Sequence, residues 1–322
     1  MNTLTSKKAG KVITAVAALM LALGQTAAFA ADNTSSTDIN TKIISSVKHV
    51  QNFYNAFGVC YTSTEHSTTV TQTTSNTNDG SESKTNTSTT TQESFVMQTW
   101  KGGSLKVDYS ESTSTTEGTD GSSSVTNSRV DYVYNAGGQL VSASGKAHTE
   151  GTLASDAYDG SGGSYVSDQT TSYIIKNGQA LPSQTVTNTT STVEGQVKST
   201  STETTTFEYE LIGGTWHLMK EVSNSSTTMT DGGSEQRTTV KTYSRDANGV
   251  CTGISQECTG TSVSVDDNGG TWTYNMTNYN AEFEFDDVLG FYLASESYDW
   301  ELSEKPSTSN DTDDGEDYEE EE

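Results

Sequence analysis

Apolar and polar residues alternate with a period of two along most of this chain. Leu105, Val107 and Tyr109 are interleaved with Lys106, Asp108 and Ser110, and Val130, Tyr132 and Tyr134 follow the same rule. Phe207, Tyr209 and Leu211 alternate with Glu208 and Glu210, and Phe283 and Phe285 with Glu282, Glu284 and Asp286. Such alternation predicts strands with one buried and one wet face, as in antiparallel sheets. Glycine-bearing turns punctuate the runs: WKGG, NAGG, KNGQ, LIGG, DANG and DVLG. One stretch departs from the pattern. Within 37–57, Ile39, Ile43, Val47, Val50, Tyr54 and Phe57 recur at steps of three or four, with Ile44 and Phe53 widening the stripe. That spacing predicts an amphipathic helix, capped by Thr37 or Asp38 and stopped at Gly58. The expected fold is mostly β: a single large antiparallel up-and-down meander of about 12–13 long strands. Its sheet is curved or a half-barrel, with the N-terminal helix packed at its apolar half.

The turns are of two kinds. Six are flanked by apolar and aromatic residues. Six others, at 78–80, 118–123, 151–163, 193–196, 231–233 and 266–270, are set mostly among Ser, Thr, Asn and Gln. The kinds alternate, and a meander sends consecutive turns to opposite ends of its sheet. Trp100, Tyr134, Ile175, Leu211, Trp216 and Phe291 are therefore expected near one pole. Asp79, Asp120, Gly195, Asp231 and Asn268 are expected at the other. Val47, Tyr54, Phe57, Trp100, Tyr134, Leu211, Trp216, Phe283 and Phe291 are the candidate core and ligand-facing residues. The polar halves of the strands argue against a membrane barrel, which needs an apolar outer band.

The N-terminus has the parts of an export signal. Lys7, Lys8 and Lys11 precede the apolar run 12–23, and Ala28-Phe29-Ala30 is a small-x-small cleavage site. The expected organisation is signal peptide 1–30, linker 31–36, folded domain 37–304 and acidic disordered tail 305–322. The exported product is secreted, periplasmic or held at the cell surface, with no membrane insertion of the mature chain. Only 30% of residues are hydrophobic, yet 15 Tyr, 8 Phe and 4 Trp stand beside just 2 Pro. The chain thus reads as ordered β with a thin core rather than as disorder. A net charge of −26 excludes nucleic acid and anionic headgroups as main partners, since both need a cationic patch.

Chemistry is sparse. The four histidines, at 49, 66, 148 and 217, lack any metal-binding spacing, and no nucleophile elbow occurs. No catalytic residue, cofactor or resident metal is expected. Asp311, Asp313, Asp314 and Glu316 offer weak cation binding only. Cys251 and Cys258 share one predicted strand, too far apart to bond, so a disulfide would join Cys60 to one of them.

YVYNAGGQLVSASG (132–145) and YSRDANGVCTGIS (243–255) resemble YD (Rhs-type) repeats. The whole plan, an export signal, one helix and a long meander, is similar to the lipoprotein-carrier family of the bacterial periplasm. That resemblance implies a curved sheet wrapping a helix around an acyl chain. Two functions follow. The first is a non-catalytic structural or adhesive protein whose Ser/Thr-rich hydrated sheet meets a surface, a glycan or another copy of itself. The alternative is a carrier holding a lipid or lipoprotein between helix and sheet.

Overall fold

The computed structural model describes residues 36–56, 59–77, 84–154, 162–266, 269–286 and 290–304. Residues 1–35 and 305–322 lie outside this set, and with them the expected signal peptide, the acidic tail and its candidate cation ligands. The described chain is fourteen strands. They are β1 (Ser36–Tyr54), β2 (Cys60–Thr77), β3 (Lys84–Lys101), β4 (Ser104–Gly118), β5 (Ser123–Tyr134), β6 (Leu140–Thr152) and β7 (Ser164–Lys176). The second half comprises β8 (Gln179–Val193), β9 (Gln196–Ile212), β10 (Thr215–Met229), β11 (Ser234–Arg245), β12 (Cys251–Val265), β13 (Thr271–Asp286) and β14 (Gly290–Glu304). Each pairs antiparallel with its sequence neighbours, and β1 pairs with β14, so the sheet closes on itself as a barrel.

Closure and the absence of a helix among the described residues overturn the expected half-barrel. Residues 37–54 belong to β1, whose backbone is laddered to β2 from Thr37 to Tyr54 and to β14 from Ser36 to Asn40. A physical cause for the helical spacing is visible in the register. The β1–β2 pairing slips between Ile43 and Ser45, a bulge that inserts one residue and reverses which face the following side chains take. Ile39 and Ile43 face one side, whereas beyond the bulge Val50 takes that side and Val47 the other. A strand with period two then mimics steps of three and four. The β-branched content of β1 and two strand partners decide the outcome, since a helix there would leave both neighbours as open edges.

The hairpins are tight where the sequence permits positive φ. Asn177-Gly178 and Glu194-Gly195 both pair φ 50° with φ 77°, the type I′ geometry that matches strand twist. The two YD-like segments share one turn. Asn135 and Asp246 each use a side-chain oxygen, Oδ1, to accept two backbone N–H bonds, from Gly137 and Gln139 and from Asn248 and Val250. Because strands alternate in direction, turns after odd-numbered strands lie at one rim and turns after even-numbered strands at the other. The first rim carries the apolar-flanked turns, with Trp100, Tyr134, Ile175, Leu211, Trp216 and Phe291 beside them. The second carries the polar turns, including Asp120, Gly195 and Asp231; Asp79 and Asn268 lie outside the described residues.

The barrel has no conventional core. No large side chain among the described residues is fully buried, and Leu181 and Val193 are its buried hydrophobics. The buried set is instead dominated by hydroxyls: Ser110, Ser112, Thr149, Ser167, Thr171, Thr185 and Thr187. A closed sheet crowds side chains on its concave face and splays them on its convex face, so these residues mark the lumen side. Fourteen strands about 4.8 Å apart, tilted about 40°, make a cylinder about 28 Å across, wider than side chains fill.

Candidate functional site

The lumen wall divides into a belt of hydroxyls and a layer of rings. The belt is built from cross-strand pairs whose hydroxyl oxygens approach within hydrogen-bond distance. These are Thr71–Ser88 at 2.8 Å, Thr90–Thr116 at 3.0 Å, Ser112–Ser128 at 3.2 Å and Thr126–Thr149 at 2.9 Å. Further round, Ser167–Thr189 is 2.9 Å, Thr171–Thr185 is 3.1 Å and Thr205–Ser223 is 2.7 Å. Each such pair adds roughly 0.2–1 kcal/mol and satisfies polar groups that few apolar residues shield.

Above the belt, towards the first rim, the five odd-numbered strands from β5 to β13 each place a ring on the lumen side. These are Tyr132 of β5, Tyr173 of β7, Tyr209 of β9, Tyr243 of β11 and Phe283 of β13. Each stands two or three residues before its turn. Their partners on the even-numbered strands are Ala143, Pro182, Leu218, Ile254 and Leu293. Paired residues share a face, so each of these five hairpins contributes an apolar pair to the lumen wall between β5 and β14. All ten are half-buried. Their uncovered area opens into the lumen. Burial, and for Tyr209 and Tyr243 the nearby Glu221 carboxylate, hold the Tyr173, Tyr209 and Tyr243 phenols well above their ordinary pKa, so they stay neutral.

Charged groups line the same arc. Tyr243 donates to Glu221 at 2.7 Å, and Tyr279 to Glu296 at 2.7 Å while accepting from Gln256 at 2.5 Å. Arg237 bonds to Glu235 and lies 5.1 Å from the Tyr298 ring centroid and 5.6 Å from that of Trp300. Lys241 stands 5.8 Å from the Phe283 ring. Glu203 accepts from Thr205 at 3.3 Å, and desolvation raises its pKa.

The outer wall carries its own charges at mid-height. Arg129 reaches Glu111 at 2.6 Å and Asp131 at 2.8 Å, and stacks 4.0 Å from the Tyr109 ring centroid. His148 lies between Asp168 at 2.7 Å and Glu150 at 3.3 Å, and these hydrogen bonds raise its pKa. Among the described residues no three His, Cys, Asp or Glu are grouped to hold a metal.

The sequence-derived candidates scatter. Val47 is 52% exposed, Tyr54 59%, Trp100 66% and Leu211 48%. Tyr134 is half-buried and donates to the Val107 carbonyl at 2.9 Å. Trp216 lies under Lys176, 4.1 Å from its ring centroid to Nζ, and Phe291 meets Phe285 edge-on at 5.3 Å. Phe283 joins the ring layer, and Phe57 lies outside the described residues. All three cysteines are free. Cys60 starts β2, while Cys251 and Cys258 both lie on β12 with β1, β14 and β13 between, and neither is bonded to Cys60. Tyr132, Tyr173, Tyr209 and Tyr243 were legible only as strand residues. Their shared position just ahead of a turn is the signal that links them.

No protein-family model and no curated protein matches this chain. Among solved structures, a porin-like protein from Bacteroides uniformis is similar over 83% of this chain and 96% of that one. Identity is 10% and the TM-score 0.18, a likeness too slight to carry an argument. The lipoprotein-carrier resemblance gains no support, and among the described residues there is no helix to form its site between helix and sheet.

Proposed function

We propose that this chain is an exported, non-catalytic β-barrel that stays in water and acts by contact rather than by chemistry. The observation that carries the reading is the outer wall. Glu93, Glu111, Arg129, Asp131, Lys146, His148 and Asp168 all project outward from the middle stretch of their strands. A spanning barrel needs an apolar outer band about 25 Å tall, and each Arg or Lys at the bilayer midplane costs about 2–4 kcal/mol. Here those positions carry ion pairs that water tolerates. The N-terminal export pattern supports passage out of the cytoplasm, with residues 1–30 as a cleaved signal and 305–322 as an acidic tail. Hydroxyls and charges on the convex face then serve a structural or adhesive contact.

The test is extraction and flotation. The mature chain is expected in the aqueous fraction without detergent, and at the bottom of a density gradient when mixed with phosphatidylcholine–phosphatidylglycerol liposomes. Co-flotation of a folded barrel that resists carbonate would overturn the reading.

A further inference from the structure

The lumen combines two surfaces that suit different parts of one molecule. Tyr132, Tyr173, Tyr209, Tyr243 and Phe283 give an arc of rings over β5 to β13, each half-buried. Beside them, the half-buried Thr71, Ser88, Thr90 and Thr116 of β2 to β4 face the same space, and the hydroxyl belt continues towards the second rim. Glu203, Gln256 and Lys241 stand within the arc. An acyl chain fits this badly, because covering the charged Glu203 and Lys241 with hydrocarbon would strip their water without replacing its hydrogen bonds. A polyanion is opposed by the net charge of −26. A sugar ring fits both surfaces: its C–H face covers an aromatic ring while its hydroxyls exchange bonds with Ser, Thr, Gln and Glu. Tyrosine suits such a place, with an apolar face and a polar tip. A cylinder about 28 Å across, narrowed by side chains of about 6–7 Å on each side, leaves roughly 15 Å, room for a single glycan chain.

We propose that the barrel lumen binds a neutral oligosaccharide, stacked on the Tyr132–Tyr173–Tyr209–Tyr243 arc. This goes beyond the reading of the outer wall and does not rest on it. Flotation reports the convex face and sugar titration the concave one, so either can fail alone.

The experiment titrates the purified mature barrel with maltohexaose, cellohexaose and chitohexaose by calorimetry, with dodecanoate as the apolar probe. At least one hexasaccharide is expected to bind, and dodecanoate not to. Tyr173→Ala and Tyr209→Ala should each weaken binding about tenfold, whereas Tyr173→Phe and Tyr209→Phe, which keep the ring, should weaken it less. Should an Ala variant fail to fold, nitration of the unmodified chain by tetranitromethane answers the same question. Bound sugar should slow modification of Tyr173 and Tyr209, read by peptide mass spectrometry. Failure of all three sugars to bind at millimolar concentration overturns the proposal. So does binding of dodecanoate in their place, or binding that neither the Ala variants nor the nitration rates register.

Discussion

A Cβ added at Gly145 would stand 3.2 Å from the hydroxyl of Tyr173. Gly145 on β6 pairs with Thr171 on β7, and the missing side chain is the space into which the Tyr173 ring leans. Gly151, six residues further along β6, is tighter: its Cβ would meet the Ser123 carbonyl oxygen at 2.5 Å and the Tyr165 ring at 2.6 Å. Backbone cannot yield as a ring can. Gly151→Ala should therefore destabilise the barrel by about 1–3 kcal/mol, and Gly145→Ala by less, because the phenol can swing into the open lumen. Paired urea titrations followed by circular dichroism check the order. Equal losses would mean that Tyr173 is not free to move.

Val47 separates the strand from the helix. At 52% exposure on the convex side of β1, it has no core to lose. Val47→Asp should cost under about 1 kcal/mol, the loss of strand preference alone. A penalty of several kcal/mol in the same titration would restore a buried helical stripe.

Glu203 gives the lumen a pH signature. Desolvation raises its folded pKa above the unfolded value, so folding favours the neutral acid. The associated stability is present below the unfolded pKa and is lost as pH rises through the folded one. Glu203→Gln should therefore raise the melting temperature at pH 7, with the gain vanishing below about pH 4, where the wild-type acid is also neutral. A Gln variant less stable than wild type at pH 7 would show that the carboxylate is held by a partner.

His148 should titrate in the opposite sense to a buried histidine. Hydrogen bonds to Asp168 and Glu150 raise its pKa, so its contribution is present at low pH and fades as pH climbs past the folded value. The site is exposed, so salt screens the effect and the consequence for stability is small. In an NMR titration of the imidazole, Asp168→Asn should bring the midpoint down towards the ordinary histidine value. An unmoved midpoint would place the ion pair outside the solution ensemble.

From Val59 onward, much of the organisation was legible in local chemistry. Period-two runs mark β2 to β14. Glycine and Asx turns at 102–103, 177–178, 194–195, 213–214 and 246–249 mark connections, because positive φ and side-chain capping are properties of a few neighbouring residues. The alternation of rim chemistry follows from those turns and from antiparallel pairing alone. What the sequence could not carry was closure. The pairing of Ser36–Asn40 with Ser295–Asp299 joins residues some 260 positions apart, and no local pattern announces it. The bulge at Ile44 then hid β1 itself by breaking its alternation, so the strand that closes the barrel is the one that read as a helix. Closure also decides what each face means. Tyr132, Tyr173, Tyr209 and Tyr243 are ordinary strand tyrosines until curvature turns their common face inward, where four separate hairpins supply one wall.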